Sequence, residues 1–266
     1  MQITSAQNPR VRALAELRTR RGRDRAARML VEGYDELRTA LESGARPAVL
    51  YYSPSLVRDP AELSLLETVR ELGAEVHELS PRVFEKVAYR QSPDGWLAEL
   101  PAIATGLERL QLPAQPLLLV CAGVEKPGNL GAMLRTAEAA GVDAVIASPA
   151  GTDWGNPNVV RASRGSVFAV PVAEAEPEEL VRWLRGREVS IAVTDPQSGA
   201  AYTSADLRSG LAVVVGAESE GLQSSWKDSA DVTLRVPMFG RMNSLNVSTS
   251  AALVIYEALR QRGRLG

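Results

Sequence analysis

Apolar residues in this chain recur first at helical spacing, then at strand spacing, and the two patterns keep alternating. The stretch NPRVRALAELRTRRGRDR has a proline near its start and places Val11, Leu14 and Leu17 on one face, which predicts a single helix. RMLVEG predicts a short strand and YDELRTALESG a helix closed by Gly44. PAVLYYS predicts a strand, PAELSLLETVRELG a helix closed by Gly73, and AEVHELS a strand. PRVFEKVA predicts a short helix, SPDG a turn and GWLAELP a further strand. Such alternation predicts a compact α/β domain over residues 1–103.

The pattern breaks over residues 104–115, between Pro101 and Pro116, and a linker is expected there. Residues 116–266 open with LLLVCAG, an apolar run that suits a strand covered on both faces. NLGAMLRTAEAAG predicts a helix and VDAVIAS a strand. A glycine-containing loop follows, then a short helix around VVRASRG and a strand VFAVPV. EPEELVRWLRGR predicts a helix, and VSIAVTD, LAVVVG and DVTLRVP three strands. A helix from about Asn246 to Arg262 ends the pattern. These elements predict a mostly parallel sheet with helices on both faces.

Composition narrows the class. The apolar fraction is 45% and the charged fraction 23%, ordinary for a globular protein. The N-terminus lacks the apolar core of a signal peptide, and no run approaches the ~18 apolar residues of a membrane span, so a cytoplasmic protein with no membrane partner is expected. The single cysteine, Cys121, excludes an internal disulfide and reads as a buried small hydrophobe. One histidine, His77, and no Cys/His cluster argue against a metal site. His77 lies in an alternating segment, where a half-exposed strand position is expected. The net charge is −2, yet residues 1–28 carry eight arginines against Glu16 and Asp24. That local stripe suits phosphate contacts, with Arg20, Arg21, Arg23 and Arg25 at its centre; a solvated helix face is the plainer reading.

Three segments hold chemistry. In EKPGNLGAMLRTAEAAG, Asn129 follows a buried strand and opens a helix, which places it where open α/β sheets bind ligands; a helix N-cap explains it equally well. Arg135 lies among small apolar residues and is either snorkelling or directed at an anion. In VVVGAESEGL, a buried strand meets Gly216, and Glu218 follows, where a carboxylate opposing a helix dipole is the bland alternative. In VPMFGRMNSLNVSTSAALVIYEALRQR, a glycine-containing loop leads to Ser244, Asn246 and a helix apolar nearly all round in its first half. Such a helix is buried in its own core or in a subunit interface.

Taken together, N-x-G-A-x-x-R-T-A, G-A-E-x-E-G and P-M-x-G-x-x-x-S-L-N-V-S resemble the motifs of the SpoU/TrmH-type RNA ribose 2′-O-methyltransferases of the SPOUT superfamily. The resemblance covers residues 116–266, and residues 1–103 look like an L30e-like α/β substrate-binding domain. It implies a trefoil-knotted α/β catalytic domain, S-adenosylmethionine as cofactor and RNA as substrate. It places the cofactor at Gly216, Ala217, Val236, Met238 and Leu245. It carries catalytic roles to Asn129, Arg135, Glu218, Ser244 and Asn246, and RNA contact to Arg161 and Arg164. It also implies a homodimer through the C-terminal helix. The dedicated N-terminal domain favours ribosomal RNA of the 23S type. Transfer RNA is the alternative substrate, and an RNA-binding relative without catalysis the alternative class. Arginine stays protonated, so Arg135 is expected to align and stabilise the 2′-oxygen rather than take its proton.

Overall fold

The structure, a computed structural model, describes residues 2–197, 200–216 and 222–265. It forms two compact units: Met1–Ile103 with Asp153–Ala169, and Ala104–Thr152 with Val170–Gly266.

The first unit holds β1 (Gln2–Ile3), α1 (Pro9–Glu16), α2 (Arg20–Ala26), β2 (Arg28–Glu32), α3 (Tyr34–Glu42), β3 (Val49–Tyr52), α4 (Leu65–Glu71), β4 (Glu75–Leu79), α5 (Pro81–Val87) and β5 (Trp96–Pro101). Its sheet has the order β1-β4-β3-β5-β2. The first three strands run parallel and β5 is antiparallel to both neighbours. Leu14, Leu30, Tyr51, Leu79, Phe84 and Leu97 form its core. Burying each such side chain contributes about 1.5–3 kcal/mol.

The arginine-rich stretch is two helices rather than the expected one. Thr19 takes an extended conformation, and its hydroxyl accepts from the Gly22 N–H at 3.1 Å. A threonine offering that bond starts a new helix instead of continuing the old one. His77 is buried rather than half-exposed; Nε2 sits 3.1 Å from Glu75 Oε2, and the ring lies 5.6 Å from that of Tyr51.

Residues 153–169 return to this unit with α7 (Pro157–Ala162) against β2 and α8 (Ser166–Ala169) against α3. The expected strand over VFAVPV is therefore a helical turn first and a strand only from Val172. Gly165, at φ +82, permits the approach, since a Cβ there would lie 2.8 Å from Thr39 Cβ.

The second unit holds β6 (Leu117–Ala122), α6 (Pro127–Ala140), β7 (Ala144–Ala147), β8 (Val172–Glu174), α9 (Pro177–Arg185), β9 (Ser190–Thr194), β10 (Leu211–Gly216), α10 (Ser224–Asp228), β11 (Val232–Leu234) and α11 (Val247–Gln261). Its six strands are all parallel, in the order β11-β9-β10-β6-β7-β8. Every residue of β6 is buried, which matches its uninterrupted apolar sequence. Cys121 lies there at 1% exposure, and burial pushes its thiol pKa up to about 12, so it is no nucleophile at neutral pH.

Strand order fixes where a ligand fits. From β6 the chain builds outward through β7 and β8, then resumes on the other side with β9 and β10. The order reverses between β6 and β10, and open parallel sheets bind ligands at the carboxyl ends of such neighbours. Ala122 and Gly216 are register partners at that edge.

Candidate active site at the β6–β10 edge

The loop after β6 carries Lys126, the N-cap of α6, followed by Pro127 at the first helical position. Asn129 is thus inside the first turn and is not the N-cap. Its amide faces another loop: Asn246 Nδ2 donates to Asn129 Oδ1 at 3.0 Å. Asn246 itself caps α11. Its Oδ1 accepts from the Ser248 N–H at 3.0 Å and from the Ser248 hydroxyl at 2.5 Å. One asparagine therefore starts α11 and ties the loop before it to α6. Side-chain caps of this kind contribute about 1 kcal/mol. Gly151 lies against the backbone of the loop after β6, since a Cβ there would meet the Val124 carbonyl oxygen at 2.7 Å.

Arg135 is exposed on α6 and makes no hydrogen bond or ion pair among the described residues. Six residues beyond Asn129 on a helix, it lies about 9 Å further along and about 120° around. The fold of one chain thus joins Asn129 to Asn246 but does not turn Arg135 to the same face. Ser244 is exposed two residues before Asn246. Ala217 and Glu218 lie outside the described residues.

Gly216 ends β10, and Val236, Met238 and Leu245 are partly buried in the loop between β11 and α11. The strand expected to reach Val236 stops at Leu234, with Arg235 making only an isolated bridge to Ala201. The backbone N–H groups of Val236, Met238 and Leu245 make no hydrogen bond among the described residues. Half-buried apolar walls with free main-chain donors fit a ligand that has both an apolar body and polar edges, as S-adenosylmethionine does.

Of the arginines expected on an RNA surface, Arg23 is not available. It is 5% exposed; Nε and Nη2 donate to Asp153 at 3.0 and 2.6 Å, and Nη1 donates to the Leu17 carbonyl at 3.1 Å. Arg25 pairs with Glu16. Arg20 lies 4.0 Å from Asp24, and Arg21 is exposed. Arg161 and Arg164 are exposed, with Arg161 donating to Asn158 at 3.1 Å. The sequence reading missed Phe239, which is 98% exposed in the loop leading to Ser244. Nothing in an apolar residue's identity signals that it will face water.

Among the described residues no group of three or more His, Cys, Asp or Glu side chains could hold a metal ion, and no helix is long and apolar enough to cross a membrane.

Known proteins share this architecture. The model of the SpoU rRNA Methylase family matches residues 116–256, and that of the MRM3-like substrate binding domain matches residues 8–98. The chain is 33% identical to the 23S rRNA (guanosine-2′-O)-methyltransferase RlmP of Bacillus subtilis over 96% of its own length and 98% of the relative's. It is 29% identical to a 23S rRNA (uridine-2′-O)-methyltransferase of Streptomyces viridochromogenes, covering 93% of this chain and 88% of that one. Among solved structures, an RNA 2′-O ribose methyltransferase superposes with a TM-score of 0.84 at 39% identity, covering 98% of this chain and 99% of the other. The SpoU methyltransferase AviRb of Streptomyces viridochromogenes, solved in complex with AdoMet, superposes at 0.89 with 28% identity, covering 96% and 98%. By its family match, its near full-length relatives and its parallel sheet with two linked asparagines at the switch point, the chain belongs to the SpoU rRNA methylase family.

Proposed function

We propose that this protein transfers a methyl group from S-adenosylmethionine to a ribose 2′-hydroxyl of 23S ribosomal RNA. The observation that carries the reading is the Asn129–Asn246 hydrogen bond, which ties the N-cap of α11 to the first turn of α6, the helix that follows β6. Relatives that span nearly the whole chain, named for 23S rRNA, favour that substrate over transfer RNA.

The cofactor supplies a methyl group on a sulfonium, already a good donor. Gly216, Val236, Met238 and Leu245 would hold it, largely through backbone, and the family resemblance assigns Ala217 to it as well. Asn129 and Asn246 fix the loops, and Ser244 orients the ribose. The family resemblance gives Glu218 the role of pairing with Arg135 or ordering the motif loops. Arg135 hydrogen-bonds the 2′-oxygen and the neighbouring phosphate and stabilises the negative charge that develops as the proton leaves. A guanidinium is not a proton acceptor in proteins, so water or another group takes that proton.

Arg135 points away from the Asn129 face, which fits a site completed by a second copy. α11 supplies a surface for that copy. Ala251, Val254, Ile255 and Ala258 bury one side of the helix, while Ala252, Leu253 and Tyr256 line an apolar hollow of about 390 Å³ on the other, together with Tyr202 and Leu265. Sedimentation as a single 28.6 kDa species at micromolar concentration would remove the dimer. RNA contacts fall to Arg20, Arg21, Arg25, Arg161 and Arg164 rather than to Arg23. The trefoil threading of the C-terminal segment and a cytoplasmic location complete the reading.

The test is incubation with labelled S-adenosylmethionine and unmodified 23S rRNA or transfer RNA, with modified nucleotides mapped by mass spectrometry. A 2′-O-methyl group at one position of 23S rRNA is expected. Label on neither RNA, with the cofactor bound, would leave an RNA-binding protein without catalysis.

A further inference from the structure

The loop between β11 and α11 is fastened at both ends. Arg235 N–H donates to the Ala200 carbonyl at 2.8 Å, and Arg235 O accepts from Tyr202 N–H at 2.9 Å. At the far end Asn246 caps α11 and holds Asn129. Between these anchors the loop displays what globular surfaces usually hide: Phe239 at 98% exposure and Met242 at 72%. Arg241 is exposed between them. The segment Arg235–Asn246, RVPMFGRMNSLN, contains two arginines and no carboxylate. An exposed aromatic ring beside a cation, on an acid-free loop, suits a partner that is flat, apolar on its faces and anionic along its edge. The hollow on α11, where Glu257 and Arg260 join the apolar lining, lies on a different element.

We infer that Phe239 stacks on the base of the nucleotide whose ribose is methylated, and that Arg241 takes the adjacent phosphate. The inference rests on the ribose-methylation reading of this site. A nucleotide drawn out of its stack into a cleft at the end of a sheet bares the faces of its base, and an unstacked base needs a replacement surface. Phe239 is five residues before Ser244, close enough along the chain for one nucleotide to bridge the ring and the ribose-orienting residues. Any base has a π face, so the contact positions the nucleotide without choosing its identity. The residue therefore acts as a positioning residue, not a catalytic one.

The experiment compares the full-length protein with Phe239→Ala, Phe239→Tyr and Phe239→Leu. It measures binding of unmodified 23S rRNA, the KM for that RNA, kcat, cofactor affinity and sedimentation. Phe239 is fully exposed, so equal thermal midpoints are expected. Phe239→Ala raises both the dissociation constant and the KM for RNA about tenfold, with cofactor affinity unchanged. Phe239→Tyr restores both and Phe239→Leu does not, because leucine is apolar but has no ring face. Unchanged RNA binding in Phe239→Ala overturns the inference. So does full rescue by leucine. A shift of Phe239→Ala from dimer to monomer would make the residue a subunit contact and overturn it as well. The binding comparison decides the matter even if the wild type transfers no methyl group, an outcome that would fell the functional reading instead.

Discussion

The interior of the first unit and the sheet edge of the second both collect polar side chains, but they use them in opposite ways. In the first unit the buried charges answer one another. Arg23 forks onto Asp153, and Arg90 pairs with Glu36 at 2.7 Å and Asp94 at 3.4 Å. Glu32 accepts the backbone N–H groups of Tyr89 and Arg90 at 2.6 and 3.2 Å. In the second unit, Arg135 on α6 and Ser244 in the loop before α11 stand exposed without a partner among the described residues. Charges removed from water must be matched internally, or the fold loses several kcal/mol. Groups left in water at a sheet's ligand-binding edge are free to meet a substrate. Arginine content alone does not separate these two situations.

Exchanging the treatment of two arginines tests the contrast most strongly. Arg135→Ala should lower the rate of methyl transfer at least about 100-fold, the scale expected for losing one preorganised charge at developing negative charge. Its unfolding free energy should stay within about 0.5 kcal/mol of wild type. Arg23→Ala should do the reverse. It strands the Asp153 carboxylate and costs about 3–5 kcal/mol in urea unfolding, while protein that remains folded still transfers methyl groups. Equal stability losses in the two variants would erase the distinction.

Asn246 sits on the boundary, since it has both a structural and a site-facing bond. Asn246→Ala loses the cap and the tie to Asn129, so stability falls by about 1 kcal/mol and transfer slows. Asn246→Asp keeps the cap but sets a carboxylate oxygen against Asn129 Oδ1. Stability near wild type with slowed transfer would assign the amide's donor to the site. Should both properties follow the cap alone, Asn246 belongs with the structural group.

The smallest effect concerns Glu32. Burial, the largest influence, raises its pKa above the ordinary 4.5, although the two backbone donors pull it down. Between the unfolded and the raised folded values, the native state binds more protons than the unfolded one. Stability therefore falls as pH rises through that window. Glu32→Gln should remove this part of the slope, as read from unfolding free energies between pH 4 and about 7. A slope unchanged by the substitution would mean the carboxyl is better solvated than its burial implies.

Much of the architecture was legible along the chain. The all-apolar run of β6 suited a strand covered on both faces, and Gly44 and Gly73 marked helix ends because each adopts a positive φ there. Other features were not legible. The arginine stretch read as one helix, because periodicity carries no record of the Thr19 cap that splits it. VFAVPV read as a strand, because local pattern cannot show that Ser166–Ala169 packs against α3.

The sequence by itself determined the order of elements, the motif residues Asn129, Arg135, Ser244 and Asn246, and the family they belong to. These depend on local spacing and residue type, which a linear chain displays in full. Only the tertiary structure decided which polar groups are spent inside the fold and which remain available. Arg23 became a buried partner of a residue 130 positions away, Asn129 became the acceptor of Asn246 rather than a helix cap, and Phe239 was left in water. Burial and partnership are set by contacts between distant segments, and no local pattern contains them.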